Sequence, residues 1–131
     1  MSRRELREQI FKLLFRVEFN SLDDMSEQER LFFEEEDAAQ GADADYISEK
    51  YHKIQQKLSE IDGQLNEKAE GWDTARMGKV DLTILRLAVY EINYDDSVPT
   101  GVAINEAVEL AKKFGQDASS GFVNGILAKF A

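Results

Sequence analysis

At 131 residues the chain has the size of one domain, able to bury about two thirds of its unfolded surface. It has no cysteine and a single histidine, which excludes disulfide and thiolate chemistry, leaves little for a transition-metal site and suits a cytoplasmic protein. No apolar run approaches the roughly 18 residues of a membrane span, no signal peptide is expected ahead of the first helix, and a net charge of −10 disfavours non-specific attraction to nucleic acid.

That charge is unevenly spread. Residues 1–17 carry five bases and two acids, a net of +3; residues 18–49 carry twelve acids against Arg30 alone, a net of −11; the remainder is near balance at −2. Salt screens charge beyond about 8–10 Å, so a basic patch at one end can act independently of an acidic stretch elsewhere.

The first glycine is Gly41 and the sole proline is Pro99, so breakers are scarce while apolar residues recur at helical spacing. An all-α domain is expected. Ser2 is the expected N-cap of a first helix reaching about residue 20, with Glu5 completing a capping box. Its rows Leu6-Ile10-Leu13-Val17 and Phe11-Phe15-Phe19 give a wide apolar face, as for a helix clamped by two neighbours. Ser26, with Glu29, predicts a second helix to about residue 37, followed by a polar loop over residues 37–45. A third helix to about residue 61 buries Tyr46 or Ile47, then Tyr51, Ile54 and Leu58. A short element at residues 65–69 and a turn at residues 72–78 come next. The rows Val80-Ile84-Leu87 and Leu85-Val89-Ile92 predict a central helix over residues 79–93. Residues 95–99 are a linker, because the residue before proline avoids α geometry. A further helix runs to Phe114 and ends at Gly115 in the C′ place; Ser119 or Ser120 caps a last one, which buries Phe122 or Val123, Ile126, Leu127 and Phe130.

Arg3, Arg4 and Arg7 stand in the opening turns of the first helix, where the macrodipole disfavours cations by about 0.3–1 kcal/mol each. Guanidiniums bind phosphates bidentately and stack on unpaired bases, so the cluster suits single-stranded RNA; the plain reading is a solvated helix start. In residues 115–121, Ser119 and Ser120 either cap a helix or help hold a phosphate at its N-terminus. Asn124 either satisfies backbone or lines a binding site, and Phe122 is either core or a base-stacking surface. Asp81 sits where the dipole of its helix favours an acid. The enzyme-like patterns are incomplete. Glu49 and His52 have the spacing of a di-iron carboxylate motif, but no second such motif is available; Asp43-Ala44-Asp45 lacks the glycine and terminal glutamate of a calcium loop; no Walker loop or dinucleotide fingerprint occurs. Neither catalysis nor a cofactor is expected.

Three segments in order carry a further signal: Ile84-Leu85-Arg86-Leu87-Ala88-Val89-Tyr90-Glu91, then residues 103–115 with Ile104-Asn105-Glu106-Ala107-Val108-Glu109-Leu110-Ala111, then Phe122-Val123-Asn124-Gly125-Ile126-Leu127. With the arginine-bearing first helix, the chain closely resembles the NusB family over essentially its whole length. The resemblance implies an all-α, NusB-like bundle of two packed three-helix halves, about residues 1–62 and 63–131. It implies an RNA surface formed by Arg3, Arg4, Arg7, Ser119, Ser120, Phe122 and Asn124, with Phe15 and Asp81 toward a partner. Here the loop reads Asp117-Ala118-Ser119 where the family commonly has Asp-Ser, so its acidic role is not carried over. The implied partners are single-stranded boxA RNA and NusE, a small-subunit ribosomal protein. With other Nus factors and RNA polymerase, the pair suppresses termination, chiefly in ribosomal RNA operons. The thin basic cluster and the altered loop also fit a helical adaptor without its own RNA recognition, and a homodimer would mask the arginine face. NusB-like domains fused to RNA cytosine methyltransferases are a third expectation, weakened by a chain that stops at Ala131.

Overall fold

The computed structural model describes residues 1–131 and is helical throughout, without a β-strand. Seven α-helices follow in order: α1 (Arg3–Phe15), α2 (Met25–Glu34), α3 (Gly41–Gln56), α4 (Leu58–Lys68), α5 (Lys79–Tyr94), α6 (Thr100–Phe114) and α7 (Ser119–Leu127). None is long and apolar enough to cross a membrane. The chain divides into two compact units, Met1–Gln55 and Gln56–Ala131.

In the first unit, α1 starts as local chemistry dictates. The Glu5 N–H donates to Ser2 Oγ and the Ser2 N–H to Glu5 Oε1, both at 3.1 Å, so two otherwise orphaned amides are satisfied reciprocally. The helix stops at Phe15, earlier than its apolar rows suggest, and continues as a 3₁₀ turn, Arg16–Glu18. Asn20 Nδ2 closes that turn by donating to the Arg16 carbonyl at 2.8 Å. Arg16 is drawn inward: its guanidinium donates to the Gln28 carbonyl (3.1 Å) and Glu35 (2.6 Å), and lies 5.1 Å from the Phe32 ring centroid.

Two expectations are corrected in this unit. The second helix is not capped by Ser26: a 3₁₀ turn, Leu22–Asp24, leads into Met25, with Asp24 in the N-cap position. Glu29 is taken by tertiary contacts instead of a capping box, accepting from Ser48 Oγ at 2.6 Å and pairing with His52 Nε2 at 2.8 Å. These bonds tie α2 to α3 and occupy the histidine of the Glu-x-x-His pattern. The polar loop is also shorter than expected, because Gly41, at φ +59°, turns the chain directly into α3. Of the alternatives at its start, Ile47 is buried and Tyr46 exposed.

The second unit opens with a break. Lys57, at φ −107° and ψ 3°, separates α3 from α4, so the third helix ends before Leu58 and the short element expected at residues 65–69 is the tail of an eleven-residue helix. Helix α5 is central: it packs against α4, α6 and α7, and Leu82, Ile84, Leu85, Leu87, Ala88 and Val89 are all buried. Helix α6 offers Ala103, Ala107 and Ala111 beside Leu110, small residues that let the backbones approach. Helix α7 adds Val123, Ile126 and Leu127, each worth about 1.5–3 kcal/mol on full burial. Arg86 of α5 grips Asp62 of α4 in a bidentate pair, at 2.9 and 2.8 Å.

Candidate nucleic-acid interface

The residues expected to form an RNA surface divide between the two units. In the first, Arg3 and Arg4 lie exposed in the opening turn of α1. Arg7 differs in burial, being only 9% exposed. It belongs to the stripe Arg7, Ile10, Phe11 and Leu14, four buried positions at i, i+3, i+4 and i+7. At the helix start, the Ser2 N–H and then its hydroxyl hold the Glu5 carboxyl below the usual carboxylate range. Arg30, the lone base of the acidic segment, is spanned by Glu27 and Glu34 on α2. Arg3 and Arg4 are therefore the clearest cations this unit presents from the expected set.

Phe15 is half-buried and continues an aromatic ladder. It stacks on Phe11 at 6.1 Å and meets Phe19 edge-on at 5.1 Å; Phe19 is 60% exposed and Leu22 55%. The aromatic ladder thus runs from the core out to the surface at Phe19.

In the second unit, the start of α5 and the α6–α7 turn enclose a cleft of about 390 Å³, lined by Gly78, Lys79, Val80, Asp81, Phe114, Gly115, Gln116 and Ser119. Asp81 and Ser119 thus share one concavity. Asp81 Oδ1 is buried without a hydrogen-bond partner. Ser119 is committed: its Oγ accepts the Gln116 N–H at 2.9 Å while its own N–H donates to the Gln116 carbonyl at 3.0 Å. It ties the turn and does not cap α7, whose N-cap is Ala118 with no side-chain bond. The start of α7 therefore has no side-chain cap, and its first N–H is satisfied by the Gln116 carbonyl.

Gly115 is not the left-handed C′ residue expected, since its φ is −92° and ψ −167°. Glycine is required there for space: a Cβ would stand 2.5 Å from Ser119 Cβ and Oγ, and 2.7 Å from the Ala111 carbonyl oxygen. Ser120 is half-exposed and Asn124 exposed, which removes the backbone-satisfying reading of the asparagine from the core. Phe122 is half-buried, meeting Trp72 edge-on at 5.3 Å. Trp72 itself, read in the sequence only as part of a turn, is 46% exposed and has the Arg76 guanidinium 5.8 Å from its ring centroid.

These features define an all-helical protein with a built cleft and an exposed aromatic–cationic surface in one unit, and an arginine-bearing helix start in the other. The chain belongs to the NusB family, whose model matches residues 4–131. It is 52% identical over 131 residues to the transcription antitermination protein NusB of Agathobacter rectalis, covering 100% of both chains. Among solved structures it is similar to NusB of T. maritima, with TM-score 0.84, 34% identity, and 100% and 91% of the two chains covered. It also shares the fold of a chain from a complex of the antitermination factors NusB and NusE with double-stranded RNA, at TM-score 0.84 and 24% identity, covering 98% and 94%.

Proposed function

We propose that this chain is a non-enzymatic antitermination factor that pairs with a NusE-type ribosomal protein to bind single-stranded boxA RNA. With other Nus factors on RNA polymerase in the cytoplasm, the pair suppresses termination, chiefly in ribosomal RNA operons. The observation that carries this reading is the family match across residues 4–131, joined to 52% identity along the whole chain with a transcription antitermination protein. The fold neighbour solved with NusE and RNA supports the choice of partners.

The physical division of labour follows from charge. Arg3 and Arg4 are exposed on an acidic protein of net charge −10, so attraction for RNA is weak on its own. A partner that extends the surface raises affinity by making the second contact intramolecular. Exposed Phe19, in contact with Phe15, offers that partner an apolar seat. Arg3, Arg4, Ser120, Phe122 and Asn124 contact RNA directly; Arg7 and Ser119, both buried, hold the elements that do. Asp81 lines the cleft beside Ser119.

The test is a titration of fluorescent boxA RNA and a scrambled control, with the chain alone and with NusE, monitoring oligomeric state in parallel. A boxA-selective gain on adding NusE is expected. Complex formation without any RNA-dependent gain would assign the chain to the adaptor class, and a homodimer that dissociates on adding NusE would explain weak binding by the chain alone.

A further inference from the structure

We infer that Trp72, Arg76 and Phe122 form a base-stacking platform on the second unit, which holds one unpaired base of the bound single-stranded RNA. The inference rests on the RNA-binding reading above and extends it to two residues outside the expected surface. Trp72 and Phe122 are fifty residues apart, yet their rings meet edge-to-face, with centroids 5.3 Å apart and planes at 73°. Arg76 places its guanidinium over the indole at 5.8 Å. The indole is still 46% exposed.

The segment that carries the exposed ring is a hydrogen-bonded turn. Gly71, at φ +80°, adopts the left-handed turn that side-chain-bearing residues resist. The Trp72 N–H then donates to the Ala69 carbonyl at 2.9 Å. The Thr74 N–H donates to Asn66 Oδ1 at 2.7 Å, and the Arg76 N–H to Asp73 Oδ1 at 3.1 Å, closing the 3₁₀ turn Thr74–Arg76. These bonds and the Phe122 contact hold the turn that presents the ring to water, which lowers the ordering cost of binding. A tryptophan serving only the core would bury its ring; this one leaves π-surface open beside a cation. Every base has a π-face, and base–aromatic stacking is tolerant of sequence, so an unpaired base fits where a paired one cannot reach. Arg76 can stack on the same base or meet its phosphate. Continuity with Phe122, already part of the proposed RNA face, selects RNA over a protein occupant.

Trp72 is the only tryptophan in the chain, so its emission reports on this surface alone. The experiment titrates the chain with unlabelled boxA RNA while following tryptophan emission. Affinities of Trp72→Ala, Trp72→Phe and Arg76→Gln are measured in the NusE complex by anisotropy of fluorescein-labelled boxA RNA. Quenching of emission by the single strand, and not by a duplex of the same sequence, is expected. Trp72→Ala should weaken binding by about 5- to 150-fold, from the usual worth of one stacked base. Trp72→Phe should retain most of the affinity, and Arg76→Gln should lose about two- to fivefold. Circular dichroism and the retained affinity of Trp72→Phe separate stacking from misfolding. RNA bound with emission unchanged and with wild-type affinity in Trp72→Ala would overturn the platform while leaving RNA binding standing, as would equal quenching by the duplex. Absence of RNA binding by the wild-type chain with NusE would overturn both.

Discussion

Gly115→Ala is the sharpest probe of the α6–α7 turn. The added methyl would sit 2.5 Å from both Ser119 Cβ and Oγ and 2.7 Å from the Ala111 carbonyl, closer than side-chain carbons approach in folded proteins. The backbone oxygen belongs to α6 and cannot swing aside, so Ser119 must move, and its hydrogen bond from the Gln116 N–H stretches or breaks. Overpacking typically costs about 1–3 kcal/mol, and loss of a buried hydrogen bond adds roughly 1 kcal/mol, so about 2–4 kcal/mol is expected. For a chain of this size that lowers Tm by roughly 6–16 °C, readable by thermal circular dichroism. Gly125→Ala is the matched control. It lies in α7 with nothing within 4 Å of the added Cβ, so helix propensity alone acts and stabilisation of about 0.5–1 kcal/mol is expected. If the two variants shift Tm equally, or Gly115→Ala by less than about 2 °C, the steric account of Gly115 is refuted.

Ser2→Ala removes the acceptor for the Glu5 N–H and should cost about 1 kcal/mol in urea denaturation, with Ser2→Asp restoring most of it. Tyr51 is fully buried, its hydroxyl has no partner, and burial, then the nearby Glu29 charge, pushes its pKa up to about 12 from the ordinary value near 10. The fold therefore favours the neutral phenol: stability is retained below about pH 10 and lost as pH rises through about 12. Tyr51→Phe should be neutral or mildly stabilising at pH 7 and should flatten the decline between pH 10 and 12, as followed by urea midpoints. Arg3→Gln and Arg4→Gln should each reduce the slope of log affinity against log salt by about 0.7, with Tm unchanged, as measured by RNA titration at several salt concentrations.

What was legible in the sequence depended on short-range rules. Ser2 and Glu5 are three residues apart and cap α1 as their chemistry requires. Pro99 and Gly115 bound α6 as their backbone chemistry suggested, although Gly115 does so by leaving room for Ser119 and not through a left-handed turn. The break at Lys57 was hidden because Ile47, Tyr51, Ile54, Leu58, Ile61 and Leu65 keep an unbroken helical spacing across it. Ser26 and Glu29 match a capping box, but the tertiary bonds from Ser48 and His52 outcompete it. Arg7 carried a signal that was overlooked, since it shares the spacing of Ile10, Phe11 and Leu14. Trp72 carried none: the ring and cation that define its role are set by Phe122 and by a turn whose geometry no periodicity encodes.

These placements change how RNA recognition is apportioned. Of the bases in residues 1–17, Arg7 is buried and Arg16 is bound to Gln28 and Glu35, so the N-terminal patch is smaller than its arginine count suggests. With about 0.7 of slope per neutralised phosphate on a single strand, the proposed contacts of Arg3 and Arg4 would supply only about −1.4 of salt dependence between them. An acidic protein with so small a Coulombic handle gains little from phosphates wherever they occur, which suppresses binding to bulk RNA. On the proposed reading, affinity then comes from contacts that need an unpaired base or from a second protein. On that reading, weak electrostatics combined with stacking would favour a partner-bound single strand over bulk RNA, as a consequence of the charge distribution itself.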